Sequence, residues 1–152
     1  MRGFAAIGLF DPKSDGNIGG AIRAAGCYGA RLIVLGGKRA AIRGRIERTD
    51  PRNTHKQIPV IWAEDVVGAC PHECIPVAVE FIKTACPLPH FQHPERAFYV
   101  FGPEDGSLPK ETLARCHSVV FVPTDACMNL AASVNVVLYD RTAKAALKEA
   151  NG

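Results

Sequence analysis

Three short stretches set glycine or other small residues beside a polar side chain able to act on a ligand. In Asn17-Ile-Gly-Gly-Ala-Ile-Arg23 the paired glycines let backbone approach a bound group closely, and Arg23 is a permanently charged planar fork suited to a phosphate or carboxylate. Gly102-Pro-Glu-Asp-Gly106 is a turn carrying two carboxylates. Pro123 to Leu130 is the third, a loop between an apolar run and a long helical pattern. Each also has a plain reading: a helix start with a surface arginine, a turn with solvated acids, a strand-to-helix connection. The pattern G-x-G-x-x-G is absent and no acidic residue follows the second strand, so a dinucleotide site fits poorly.

The elements that must position these stretches follow from hydrophobic periodicity. Gly3 to Leu9 and Arg31 to Leu35 are short apolar runs expected as strands, joined by turn-forming Asp11 to Asn17 and a helix from about Ile18 to Tyr28, closed by Gly29. Ile58 to Trp62, Cys74 to Val79 and Arg96 to Phe101 are further strands. Ala63 to Ala69 predicts a brief helix, and Leu108 to Arg115 a short one with Pro109 in its first turn. Val119 to Val122 reads as a buried strand stopped by Pro123. From Asn129 to about Lys148, Leu130, Val134, Val137, Leu138 and Ala145 share one side at helical spacing, with Thr142 the one polar interruption. Strands alternating with helices predict an α/β fold, a mostly parallel sheet with helices on both faces, in one domain over residues 1–152. In such sheets ligands sit at the carboxyl ends of strands, where a helix N-terminus presents unpaired N–H groups, so Pro123 to Leu130 is the candidate binding loop.

Charge is unevenly spread. Between Lys38 and Lys56 seven basic residues (Lys38, Arg39, Arg43, Arg45, Arg48, Arg52, Lys56) meet two acids (Glu47, Asp50), a local net of +5 in a chain whose total is +3, leaving −2 for the remainder. The stretch is either a solvated face or a phosphate contact; its glycines, Pro51 and Asn53 make it loop-like, and Arg39, Arg43, Arg45 and Arg48 are the candidates for contact with nucleic acid. No apolar run is long enough to span a bilayer, and the N-terminus enters a strand without a cleavage site, which predicts a cytosolic protein with no membrane partner. Six cysteines scattered through apolar segments predict reduced, buried thiols rather than a disulfide framework. Cys70-Pro-His-Glu-Cys74 with Cys86 is too loosely spaced for structural zinc, and no metal is expected.

Taken together and in order, Asn17-x-Gly-x-x-x-Arg23, Phe101-Gly-Pro-Glu-Asp-Gly-Ser-Leu-Pro109, and Val122-Pro followed by Met128-Asn-Leu130 entering the last helix resemble the TrmH (SpoU) family of SPOUT methyltransferases over nearly the whole chain. The resemblance implies an S-adenosylmethionine-dependent RNA ribose 2′-O-methyltransferase, with a trefoil-knotted C-terminal half and a homodimer. It places the first and last helices at the subunit interface, where Ala24, Ala25 and Ala132 supply small residues. The lack of an added RNA-binding domain resembles the minimal members that modify the tRNA anticodon loop.

Residue by residue, the resemblance makes Arg23 the residue acting on the ribose hydroxyl and adjacent phosphate. Asn17, Glu104 and Asn129 match the polar positions of the three motifs and are, with Arg23, the catalytic candidates that the resemblance implies. Gly102, Val122, Cys127, Met128 and Leu130 fall where relatives wrap backbone around the cofactor, and Val79 with Glu80 at the end of the fourth strand match its third wall. Relatives commonly carry serine where Cys127 and Ala131 stand, and the loop between Pro123 and Met128 is shorter than usual. A ribose hydroxyl is a poor nucleophile at neutral pH, so transfer depends on in-line placement and help in losing the proton; an arginine, always protonated, is a poor classical base. The alternative is a binding-only RNA module on the same fold, in which Arg23 and the basic stretch hold RNA without cofactor.

Overall fold

The computed structural model describes residues 3–39 and 53–152. Seven strands form one sheet in the order β3-β2-β1-β6-β4-β7-β5, every neighbouring pair parallel. They are β1 (Phe4–Phe10), β2 (Ile33–Gly36), β3 (Val60–Trp62), β4 (Ile75–Val79), β5 (Cys86–Pro87), β6 (Arg96–Phe101) and β7 (Ser118–Phe121). The six expected strands stand within two residues of their predicted bounds. The seventh, β5, is two residues long and ends in proline, too short to leave a hydrophobic pattern.

Alternation within the strands builds two cores. Ala5, Ile7, Leu9, Ile33, Leu35, Val77, Tyr99 and Val120 face α1 (Asp15–Cys27) and α3 (Leu130–Asn151), meeting Ile22 and Ala25 of the first helix and Val134, Val137 and Leu138 of the last. Ala6, Val34, Ala78, Phe98 and Val100 face the other way, toward Val66, Val67, Leu108 and Leu113 of α2 (Lys110–Arg115). Gly8 and Gly36 make room on this second face: a Cβ at either would lie 2.7 or 2.0 Å from the side chain of Val66. No helix among the described residues is long and apolar enough to cross a membrane.

Helix α1 begins three residues earlier than its apolar pattern suggests, because the Ser14 side chain accepts the Asn17 N–H and caps it. Gly19 and Gly20 therefore lie inside the helix, not in a ligand-facing loop. A Cβ on Gly20 would sit 2.7 Å from that of Ala131, so the approach the glycine permits is that of α3. Ala24 and Ala25 are likewise buried within the chain's own core, and their small size serves packing there rather than a free interface. All six thiols are free, but only Cys74 is buried as expected; Cys70, Cys86 and Cys116 are half-buried, and Cys27 and Cys127 are exposed. The brief helix expected over Ala63 to Ala69 is a single 3-10 turn, Val67–Ala69.

Candidate functional site

Strands β4, β6 and β7 end side by side, and the loops leaving their carboxyl ends surround a cleft of about 430 Å³. Its walls include Val79, Glu80, Gly102, Val122, Cys127, Met128 and Leu130, all seven of the residues proposed above for cofactor contact. The volume suits a ligand of cofactor size, and the lining mixes apolar groups with a few carboxylates, Glu80, Glu104 and Asp125. The apolar share comes from the strand ends themselves, which are hydrophobic because the sheet is buried on both faces.

Hydrogen bonds fix the loops. Glu80 accepts the Leu108 N–H at 2.8 Å and the Phe81 N–H at 3.1 Å, tying the ends of β4 and β6 together. Gly102 lies against that bond: an added Cβ would be 3.3 Å from both Glu80 Oε2 and the Leu108 nitrogen. Thr124 turns the third loop by donating to the Ala126 carbonyl at 2.8 Å. Asn129 caps α3, its side chain accepting the Ala132 N–H at 2.7 Å. The Ala131 N–H is also taken, by Asn17 Oδ1 at 3.4 Å, so two of the helix's leading donors are satisfied inside the protein.

Glu104 works inward. It accepts the Lys13 N–H at 2.8 Å, the Ser14 N–H at 3.2 Å and the Asn17 amide at 2.9 Å, clasping the second loop to the start of α1. Burial pushes its carboxyl up, but the backbone N–H groups and the Asn17 amide outweigh that, and the net displacement is downward. Asn17 thus bridges Glu104 and α3, and both residues act as positioning groups in this arrangement. Arg39 is similarly committed: it meets Asp105 through two parallel bonds of 2.8 and 2.9 Å, and Asp11 at 3.1 Å. Hydrogen bonding to Arg39 holds the Asp105 carboxyl below its usual range. Much of the positive charge of Arg39 is therefore spent within the protein; Arg43, Arg45 and Arg48 lie outside the described residues.

Arg23 differs from the other candidates. It is exposed on α1, makes no hydrogen bond or ion pair with the described residues, and does not line the cleft of its own chain. The sequence reading overlooked three lining residues, Phe81, Phe121 and Ser133. Ser133 was findable: it lies one turn beyond Asn129, and its hydroxyl donates to the Asn129 carbonyl at 3.1 Å. Among the described residues no three potential metal ligands gather, and Cys70 donates instead to the Cys74 carbonyl.

The SpoU rRNA Methylase family matches residues 5–139 of the chain. Among solved structures, an rRNA methyltransferase from Sinorhizobium meliloti superposes with a TM-score of 0.83 at 20% identity, over 94% of this chain and 57% of that one. The SpoU methyltransferase AviRb from Streptomyces viridochromogenes, solved with AdoMet, gives 0.82 at 19% identity, over 95% and 62%. A protein solved for insight into the 2-OH methylation of C/U34 on tRNA gives 0.80 at 20% identity, over 95% and 97%. The chain thus spans about three-fifths of the length of the first two. No curated protein sequence matches it.

Proposed function

The chain belongs to the SpoU rRNA Methylase family, and from that premise we propose that it is an S-adenosylmethionine-dependent methyltransferase acting on a ribose 2′-hydroxyl of RNA, with tRNA as the substrate class. The observation that carries this reading is the cleft, whose walls hold all seven of the residues that the resemblance assigns to cofactor contact. The residues present suit that ligand: Gly102, Val122, Met128 and Leu130 offer backbone and apolar surface to a flat ring, and Glu80 and Asp125 put carboxylates near a molecule that carries a sulfonium and an ammonium group. When bound, the cofactor supplies an electrophilic methyl on a sulfonium. The chain's share of the work is to bind and orient. Asn17 and Glu104 hold the start of α1 against the cleft loops, and Glu80 holds the β4 and β6 ends at a fixed separation.

Arg23 is the proposed group for the ribose and its phosphate, as a charge that steers the phosphate and lowers the cost of losing the hydroxyl proton. Its position outside its own cleft supports a homodimer in which one copy's Arg23 completes the other's site. Exposed Tyr139 and Leu147 on α3, with Tyr139 packed edge-on to Tyr28 at 6.3 Å, give that interface apolar surface. The knotted threading implied by the resemblance belongs to the same proposal. The test is transfer of labelled methyl from S-adenosylmethionine to total RNA by the purified protein, followed by mapping of the modified nucleotide. Label on a ribose 2′-oxygen is the expected result. Cofactor binding without any transfer to RNA would defeat the reading.

A further inference from the structure

Phe81 is the most exposed large apolar residue among those described, at 80%, and it stands at the rim of the cleft. An aromatic ring left in water at such a place is not loose. Phe121 meets it edge-on, with centroids 5.3 Å apart and planes at 87°, and its N–H is held by Glu80. Two residues on, Lys83 lies in the tight turn closed by the Ala85 N–H on the Ile82 carbonyl at 3.0 Å; it is exposed and makes no hydrogen bond or ion pair with the described residues. The other strongly exposed aromatics, Trp62 and Tyr139, do not line the cleft.

We propose that Phe81 and Lys83 form a seat for one nucleotide of the RNA at the mouth of the cleft, the base stacking on the Phe81 ring and the phosphate meeting the Lys83 ammonium. The inference rests on the RNA-methyltransferase reading and adds to it the residues that grip the strand beside the reacting ribose. Stacking on an aromatic platform next to a free cation is the general means by which proteins hold unpaired nucleotides. It also implies that the bound nucleotide is single-stranded or turned out of its helix, since a paired base has no free face for the ring. The competing occupant is the cofactor's own adenine. The apolar depth of the cleft, where Phe101 and Leu130 are nearly inaccessible, suits that ring better than a rim position four-fifths open to water.

The test titrates protein into a single-stranded RNA of about twelve nucleotides carrying 2-aminopurine, at low salt, where stacking quenches fluorescence. Wild type should quench. Phe81→Ala should lose the quench and weaken binding about tenfold, whereas Phe81→Trp keeps both. Lys83→Ala should keep the quench and flatten the salt dependence of binding. S-adenosylmethionine affinity by calorimetry should stay within about twofold throughout. Absence of quenching by wild type, or wild-type RNA affinity in Phe81→Ala, overturns the proposal. So does a fall in cofactor affinity in Phe81→Ala, which would give the ring to adenine. Persistent quenching by a protein that binds no cofactor would support the seat while defeating the enzymatic reading. Because the ring is exposed, Phe81→Ala should melt as wild type does, and melting curves check this.

Discussion

The two ends of the sheet use polar groups in opposite ways. At the amino end, buried Arg141 donates to the carbonyl of Glu95 at 2.6 Å and to that of Pro94, where β6 begins. Beside it His93 bridges the Tyr99 hydroxyl at 2.6 Å and Asp140 at 2.7 Å, and Lys144 binds Asp140, Leu88 and Phe91. Nearly every donor there meets an acceptor of the same chain, and burial pushes the Tyr99 phenol up to about 12. At the carboxyl end the polar groups only tie loops at their bases, through Glu80, Glu104 and Arg39, and leave Gly102, Thr124 to Cys127 and Phe81 along the cleft. The first arrangement closes a structure; the second holds an opening at a fixed shape. Substitutions at the two ends should therefore fail by different measures.

The largest effect is expected at the closed end. Arg141→Met keeps the apolar stem but strands the Pro94 and Glu95 carbonyls, and should cost about 3 kcal/mol. That corresponds to a melting temperature lower by about 10 °C, with cofactor affinity per folded molecule unchanged. Calorimetric melting and titration together check it. Arg23→Ala should show the reverse pattern: stability and cofactor affinity near wild type, methyl transfer to the mapped RNA down by about 10² or more. Arg23→Lys, which keeps charge but loses the fork, should recover only part of the rate. Mixed with a cleft-impaired variant, Arg23→Ala should regain activity if the site is shared between two copies. Wild-type turnover in Arg23→Ala would remove it from the reaction.

That contrast also marks what was legible in the sequence. Strand-and-helix periodicity located β1, β6 and the last helix closely, because each is long and apolar on a face that must be buried. The cleft residues were legible only as motifs in order; no single one stood out. The closed end was not legible at all. Arg141 follows Val134, Val137 and Leu138 on the buried face of α3, a place where a cation reads as solvated, and its partners are backbone carbonyls more than forty residues away. His93 lies in a stretch with no regular pattern. Glu104 reads as a catalytic candidate because sequence shows a carboxylate but not the three donors that turn it inward. Arg39 likewise counted as free charge until Asp11 and Asp105 were placed beside it.

A smaller effect tests the opening's shape. In Gly102→Val the atoms nearest the added Cβ are Glu80 Oε2 and the Leu108 nitrogen, both at 3.3 Å. The substitution should loosen the Glu80 to Leu108 bond and so widen the cleft wall. Cofactor affinity should fall about tenfold, with RNA affinity in the absence of cofactor unchanged. Glu80→Gln, which keeps an acceptor oxygen for Leu108, should cost less than Gly102→Val; equal losses by calorimetry would show that the carboxylate charge, and not the wall's geometry, is what matters.

Acid should separate the two ends by the least perturbing means. His93 is largely shut away from solvent, and burial pushes its pKa below the ordinary 6.5 despite the opposing pull of Asp140. The neutral ring suits its place, accepting from the Tyr99 hydroxyl at Nδ1 and donating to Asp140 from Nε2. The unfolded chain takes up its proton as pH falls through 6.5, and the native state only at lower pH, so stability contributed by this group is complete above 6.5 and is lost below it. Glu104 has its folded pKa below the ordinary 4.5, so its contribution is complete above 4.5 and is lost as pH falls through the folded value. Two successive windows follow, the upper one belonging to the closed end and the lower one including the clasp at the open end. Urea unfolding across pH should show His93→Gln losing the upper decline and keeping the lower. Glu104→Gln should do the opposite, its difference from wild type at full size above pH 4.5 and vanishing in stronger acid. If wild type and His93→Gln run parallel between about pH 7 and pH 5, the histidine is not held neutral by the fold, and the closed end owes nothing to it in that range.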